Sequence, residues 1–326
     1  MKDPLRSAAK KVFYFFQPAL RALWTLIKYV EYFVVHPLLS LLPLRWAHGV
    51  FRCRWPWLLL MPSEKELILR NLSIAFQGKL PESQLARIGA AHARFLSSLR
   101  FDAWISSSCS AKRLNEAVRF EGLAHIREAQ EAGKAVVLLG CHTGYTYRLV
   151  FALARNGTKH RVITMKTEKT GRIVWRGKAE LVLYRKILER MEREENIRVI
   201  YAGSAYREIR ESLEEKQVLL AHIDNPFARG VQIRFLGLEC VFSGEIFRLA
   251  QKHDAVCLPY IVRVDRHFCE IRIYPPWQPE KPAPTVAERI LAQAEYFIRL
   301  FEGHILSVPE QWWLWRDLGA FQRPRP

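Results

Sequence analysis

Six cysteines are scattered through the 326 residues, at 53, 109, 141, 240, 257 and 269, and no two are spaced as C-x-x-C. That spacing argues against a zinc site or a disulfide framework and favours a reducing, cytosolic environment. There is no internal repeat and no low-complexity linker. Acidic residues are the scarcer charge: 32 Asp and Glu stand against 50 Lys and Arg, a net charge of +18. Such an excess suits an anionic partner, which can be nucleic acid, a membrane surface, a phosphorylated substrate or an acidic carrier protein. No nucleic-acid motif accompanies the charge, and the N-terminus is strongly apolar, so nucleic acid is the weakest of these. A cleavable signal peptide is missing too, because no short apolar core with a small-residue cleavage site follows the basic start.

Half of the residues are hydrophobic, enough for a large core. Residues 12–44 are rich in Phe, Tyr, Trp, Leu and Val, but an uninterrupted apolar run is lacking. Lys10, Gln17, Arg21, Lys28 and Glu31 break the segment, and at 100° per residue they fall within roughly 80° of one another around a helix. One narrow polar stripe on an apolar surface predicts a helix lying in a membrane interface, or a short anchor packed on the domain. Basic residues flank it on both sides: Lys2, Arg6, Lys10 and Lys11 before, Arg45, Arg52 and Arg54 after. Both ends are therefore expected on the cytoplasmic side. The division drawn from this is an apolar, amphipathic, membrane-associated segment over 1–62 and an α/β domain over 63–326.

Within that domain, 64–76 and 82–105 carry helical periodicity, and 111–130 reads as a loop with a helix. Strands are expected at 135–140, 161–165, 197–201 and 217–223. Helices are expected between them at about 144–155, 176–193 and 204–215. This alternation predicts βαβ units and a mostly parallel central sheet flanked by helices. Beyond it come a strand at 231–236, a helix at 243–252, an antiparallel hairpin of 256–264 with 268–274, and a last helix near 285–302.

Four features are candidates for chemistry. His142 follows the apolar strand 135–140 and precedes a helix, which places an imidazole at a strand's C-terminal end, where open α/β sheets build their sites. A histidine there can be a general base or merely cap the next helix. Asp224 ends a second apolar strand of the same sheet; if the two strands are parallel it shares an edge with His142. The turn Asp-Asn-Pro gives it an ordinary structural reading as well. A basic run (Lys166, Lys169, Arg172, Arg176, Lys178, Arg185, Lys186 and Arg190), with Arg229 and Arg234 further on, suits a phosphate or an acidic carrier surface; its alternative is a solvated helix face paired with nearby glutamates. Finally, Pro309-Glu310-Gln311-Trp312-Trp313-Leu314-Trp315 places three tryptophans in four positions, expected to be mainly core.

Together these stretches resemble the bacterial lipid A lauroyl/myristoyl acyltransferase family, within the glycerolipid acyltransferase-like group, over about 65–317. The resemblance lies in Arg70-Asn71-Leu72 through Phe76, Gly140-Cys141-His142-Thr143-Gly144, Phe235-Leu236-Gly237, Gly244, Leu249-Ala250, Pro259, and the closing Pro309-Glu310-Gln311-Trp312 with Trp315. It implies an enzyme at the cytoplasmic face of the bacterial inner membrane. Such an enzyme moves an acyl chain from a thioester, on acyl carrier protein or CoA, to a hydroxyl or amine of an anionic lipid or glycolipid. No metal or organic cofactor is needed. The family motif is His, four residues, then Asp or Glu, and this chain has Tyr147 at the last place. A phenol can orient an imidazole but is neutral near pH 7. The family's Asp-x-Asp reads His222-Ile223-Asp224 here, leaving Asp224 as the acid to orient His142.

The reading is thus an acyltransferase in which His142 takes the acceptor proton and Asp224, or less effectively Tyr147, orients the ring. Backbone amides around Gly144 would steady the oxyanion. Lys166, Arg172, Arg176, Arg185 and Arg190 would hold the acceptor's anionic group. The alternative is a catalytically silent homologue that binds lipid or carrier as a partner subunit.

Overall fold

The computed structural model describes residues 22–52, 62–165, 177–201, 205–225, 230–279 and 285–322. After a helical stretch over 22–39 come α1 (Leu44–Arg52), α2 (Pro62–Ala75), α3 (Glu82–Ser108) and α4 (Ala111–Asn115). The alternating part then runs β1 (Val118–Glu121), α5 (Ala124–Glu131), β2 (Val136–Gly140), α6 (Thr146–Arg155), β3 (His160–Thr164), α7 (Lys178–Arg193), β4 (Ile197–Tyr201), α8 (Ala205–Glu214) and β5 (Val218–His222). A hairpin of β6 (Val231–Phe235) and β7 (Leu238–Phe242) follows, then α9 (Glu245–Lys252), β8 (Val256–Asp265), β9 (Phe268–Ile273) and α10 (Val286–Ser307). Tight turns over Pro309–Gln311 and Trp315–Phe321 close the described chain.

The main sheet has seven strands in the order β1-β9-β8-β2-β5-β3-β4. All neighbours are parallel except the β8–β9 pair. This is the α/β architecture with a mostly parallel sheet that the alternation predicts. Its centre is β2, whose five residues are all buried. A parallel strand covered on both faces reads as a continuous apolar run, which is why Val-Val-Leu-Leu-Gly shows no alternation. Thr285 starts α10 with a capping box, its hydroxyl accepting from the Glu288 amide while the Glu288 carboxylate accepts from Thr285.

Two strands, β1 and β7, have no counterpart in the sequence reading. The four residues of β1 lie inside the stretch read as loop and helix; the strand is short and sits at the sheet edge, where pairing with β9 rather than any local run of apolar residues creates it. The strand near 231–236 forms, but pairs with β7 in a separate two-stranded sheet. Leu236 and Gly237, both with positive φ, make its turn.

The N-terminal segment is tied to the domain by its polar residues. Lys10, Gln17 and Arg21 lie outside the described residues. Lys28 pairs with Glu31 at 2.9 Å, and Glu31 is buried. Tyr32 is fully buried and donates to Glu180 of α7 at 3.3 Å, which also pairs with Arg100 of α3. The described part of the polar stripe thus faces inward, toward charged partners. The outward face carries Leu23, Trp24, Leu26, Ile27, Val30 and Val34, continued by Leu38, Leu41, Leu42 and Trp46, all exposed. Among the described residues no helix is long and apolar enough to cross a membrane.

Candidate active site

The register of the central sheet brings the two candidate groups together. β2 and β5 are parallel with Gly140 opposite His222, and the Ile223 amide donates to the Gly140 carbonyl at 2.9 Å. Two residues beyond each partner of that last pair stand His142 and Asp224. His142 Nδ1 donates to Asp224 Oδ1 at 2.7 Å. Asp224 Oδ2 accepts from the His142 backbone amide at 2.8 Å and from the Trp312 indole at 2.9 Å. Three donors on one carboxylate satisfy a group that is only 1% exposed. The His142 side chain keeps 15% of its surface exposed. With Nδ1 held by the carboxylate, Nε2 is the ring nitrogen that can exchange a proton with a substrate.

The other residues read from the sequence stand differently. Tyr147 stacks on Trp313 with ring centroids 6.0 Å apart, and Trp313 in turn lies 5.3 Å from the His142 ring. The orienting place at Nδ1 belongs to Asp224, so Tyr147 meets the histidine through an intervening indole. The amides around Gly144 are already engaged: His142 N with Asp224, Thr143 N with the Cys141 carbonyl at 2.7 Å, and Gly144 N with the Gln311 carbonyl at 3.2 Å. The expected oxyanion donors at Gly144 are thereby consumed in folding the loop. Gly144 is needed for another reason. Its φ is +60°, and a Cβ there would stand 2.4 Å from the Val262 carbonyl oxygen.

Of the basic run, Lys166, Lys169, Arg172, Arg176 and Arg229 lie outside the described residues. Arg185 and Lys186 are exposed on α7, and Lys186 pairs with Glu189 at 3.2 Å. Arg190 departs from its expected role. Its guanidinium lies over the Trp104 ring at 4.0 Å and donates to Ser107 Oγ at 2.9 Å. That is a packing role between α7 and α3, about 18 Å along the helix from its first residue at 1.5 Å per residue.

The closing tryptophans are buried, as expected, but they also reach the site. Trp312 holds Asp224, and Trp313 donates from its indole to the Gly144 carbonyl at 2.9 Å. The Trp313 amide donates to the His142 carbonyl at 2.9 Å. Gln311 imitates a strand partner for Val264, accepting from its amide at 2.7 Å and donating to its carbonyl at 2.9 Å. Asn71 of α2 donates to the Trp315 carbonyl at 2.6 Å, and Phe235 packs edge-on against Trp312. The stretches of the resemblance at Asn71, Phe235 and 309–315 thus pack together beside the histidine loop. Sequence reasoning missed Trp312 as a carboxylate donor; only its place beside Pro-Glu-Gln in the closing signature pointed to it.

Two further residues complete the site. His222 stacks on His142, with centroids 4.1 Å apart and planes inclined by 24°. Tyr260 of β8 contacts His222 Nε2 through its hydroxyl at 3.0 Å. Burial, and then the neighbouring His142, hold His222 well below the ordinary imidazole pKa. Burial pushes the Tyr260 phenol well above its ordinary value. Both groups are therefore neutral at physiological pH.

Comparison with known proteins identifies the family of the chain. The model of the bacterial lipid A biosynthesis acyltransferase family matches residues 15–318. The chain belongs to that family, and membership supports an acyltransferase activity on lipids. Among solved structures, the chain is similar to the crystal structure of the 1-acyl-sn-glycerophosphate (LPA) acyltransferase PlsC from Thermotoga maritima. The two share 11% identity over 74% of this chain and 97% of that one, with a TM-score of 0.34. No curated protein sequence matches the chain.

Proposed function

We propose that this protein transfers an acyl chain from a thioester, on acyl carrier protein or CoA, to a hydroxyl of an anionic lipid or glycolipid; an amine acceptor would be served by the same base. The observation that carries the reading is the 2.7 Å contact of His142 Nδ1 with a buried Asp224. His142 Nε2 takes the acceptor's hydroxyl proton as its oxygen attacks the thioester carbonyl, and the carbonyl π electrons move to oxygen. Collapse of the tetrahedral adduct re-forms the carbonyl and breaks the C–S bond. The thiolate leaves and takes the proton from His142. Asp224 holds the ring in the productive tautomer and stabilises the imidazolium between the two steps.

The work is proposed to take place at the cytoplasmic face of the bacterial inner membrane. The exposed apolar face of the N-terminal segment supports an interfacial attachment, because Lys28 and Glu31 are turned toward the domain while the exposed Arg45 stands beside Trp46 at the end of that face. The exposed Arg185 and the basic residues at 166, 172 and 176 are proposed to meet the acceptor's anionic group. The deciding experiment measures thiol release from dodecanoyl thioesters by purified full-length protein, with total envelope lipid of a Gram-negative bacterium as acceptor source. His142→Ala is expected to abolish lipid-dependent release without unfolding the protein. Equal rates for variant and wild type would remove His142 from the reaction. No turnover by either would favour the silent, partner-subunit reading.

A further inference from the structure

The histidine loop leaves the reaction without its second requirement. Thioester attack places negative charge on the carbonyl oxygen, and preorganised donors at that oxygen are usually the largest contribution to catalysis. The amides of residues 142, 143 and 144 are committed within the fold. A side chain beside the loop can supply the donor instead, and the group in face contact with His142 is His222.

The His222 ring is held in one form by its own contact. Of the two partners, a phenol is the better donor and an unprotonated imidazole nitrogen the better acceptor. Tyr260 accordingly donates to Nε2 across the 3.0 Å separation. The proton of the neutral ring then sits on Nδ1, because a neutral imidazole carries one donor and one acceptor. Three features of the fold set this up. β5 delivers His222 as its last residue, opposite Gly140. Gly140 lets the Tyr260 ring pack against β2, since a Cβ there would come within 2.3 Å of the ring. His222 itself is half-buried at the edge of the site, whereas Tyr260 is fully buried beneath it.

We propose that His222 is a catalytic residue, the oxyanion donor: fixed as the Nδ1–H tautomer by Tyr260, its ring donates a hydrogen bond to the thioester oxygen as charge develops there. The inference rests on the reading of His142 as the base. It divides the stacked pair into two jobs. His142, backed by a carboxylate, is built to accept a proton and carry positive charge. His222, backed by a phenol, is built to remain neutral and donate. A second cation stacked at 4.1 Å would oppose the imidazolium forming on His142, so a neutral donor is the form that this position tolerates.

Two substitutions separate donation from packing. In His222→Asn the carboxamide nitrogen lies near the place of Nδ1 and keeps a donor. In His222→Phe the flat ring and the stack remain but the donor is lost. With dodecanoyl-CoA and envelope-lipid vesicles, His222→Phe is expected to lower kcat by ~10²–10³, the effect of removing one oxyanion donor, with KM for the thioester little changed. His222→Asn is expected to retain at least ten times the rate of the Phe variant, by the same comparison. If His222→Phe matches or exceeds His222→Asn, the ring acts by packing and the proposal is overturned. His142→Ala in the same assay keeps the two readings apart. An inactive Ala variant beside a fully active His222→Phe sinks only the oxyanion donor. A fully active Ala variant sinks the base reading and the inference built on it. A readout free of turnover is the ¹⁵N spectrum of histidine-labelled full-length protein in detergent. The Nδ1–H tautomer of His222 at pH 7, lost in Tyr260→Phe, is expected; an Nε2–H tautomer or a protonated ring overturns the proposal.

Discussion

Replacing Asp224 by Asn tests the dyad with almost no change of shape. Oδ2 accepts from two fixed donors, the His142 amide at 2.8 Å and the Trp312 indole at 2.9 Å. The carboxamide oxygen must take that side, because its NH₂ group there would face two N–H groups. The NH₂ then faces His142 Nδ1 across the former 2.7 Å contact. A donor in that place forces Nδ1 to accept, which moves the ring proton to Nε2. The nitrogen that should receive the acceptor's proton is then already protonated. The same inversion in a serine-protease triad costs about 10⁴ in kcat, equivalent to about 5.4 kcal/mol of barrier at 1.36 kcal/mol per tenfold. Stability should change by only about 1–2 kcal/mol, since the loop keeps its hydrogen bonds and loses mainly their charge. Tyr147→Phe is the matched control: its stack on Trp313 is kept, and the rate should remain within about threefold, well under 1 kcal/mol. The assay is single-turnover thiol release at saturating protein, with melting temperature followed in parallel. A folded Asp224→Asn protein within tenfold of the wild-type rate, or a Tyr147→Phe protein as impaired as Asp224→Asn, would refute the reasoning.

Other perturbations address the frame around the site. His92, His160 and His304 are each held near pKa 4, first by burial, against an ordinary 6.5. The unfolded chain binds more protons between those values, so stability is whole above about pH 6.5 and falls as pH drops toward 4, by up to roughly 1.4 kcal/mol per pH unit for each ring. Melting temperature should accordingly be lower at pH 5 than at pH 7, and an equal value would contradict the burial of these rings. Asp102, fully buried, is bound by Arg148 and Ser106, with His48 beside it; this cluster joins α1, α3 and α6. Asp102→Leu alone should destabilise by about 3–5 kcal/mol in a denaturant titration, and Asp102→Leu with Arg148→Met by distinctly less, because no unpaired charge remains; additive losses would show that the pair is not coupled. Leu26, Leu38 and Leu41 are 60%, 61% and 79% exposed on the outer apolar face. Changing all three to Glu should reduce flotation with anionic vesicles at least tenfold, given about 1.5–3 kcal/mol for burial of each leucine; unchanged flotation would place the membrane contact elsewhere.

Much of this molecule was legible without coordinates. Period and punctuation announce the strands from β2 to β5 and their intervening helices to within a few residues, because buried parallel strands are short apolar runs and surface helices are amphipathic. His142 and Asp224 each end such a run. Parallel pairing puts both at one edge, but the Asp-Asn-Pro turn read as readily as plain structure, and that the two strands are neighbours, so that the groups meet, came only from the sheet order. The family resemblance lay in the same residues.

Other features had no local signature. Trp312 and Asp224 are 88 residues apart, and nothing in a Trp-rich turn states which carboxylate its indole will meet. Whether a loop amide is open or engaged depends on what packs against it, and here Gln311 and Asp224 fill the donors that looked available beside Gly144. Arg190 is a cation in a basic run until Trp104 is placed beneath it. Lys28 and Glu31 make a polar stripe whose side, water or domain, is decided by Arg100 and Glu180 on other helices. The sequence alone determined the alternating elements and the two groups at the sheet edge, since periodicity and strand-end position are local properties. Tertiary structure decided which nitrogen, amide and charge remained for chemistry, since that depends on partners brought together from distant parts of the chain.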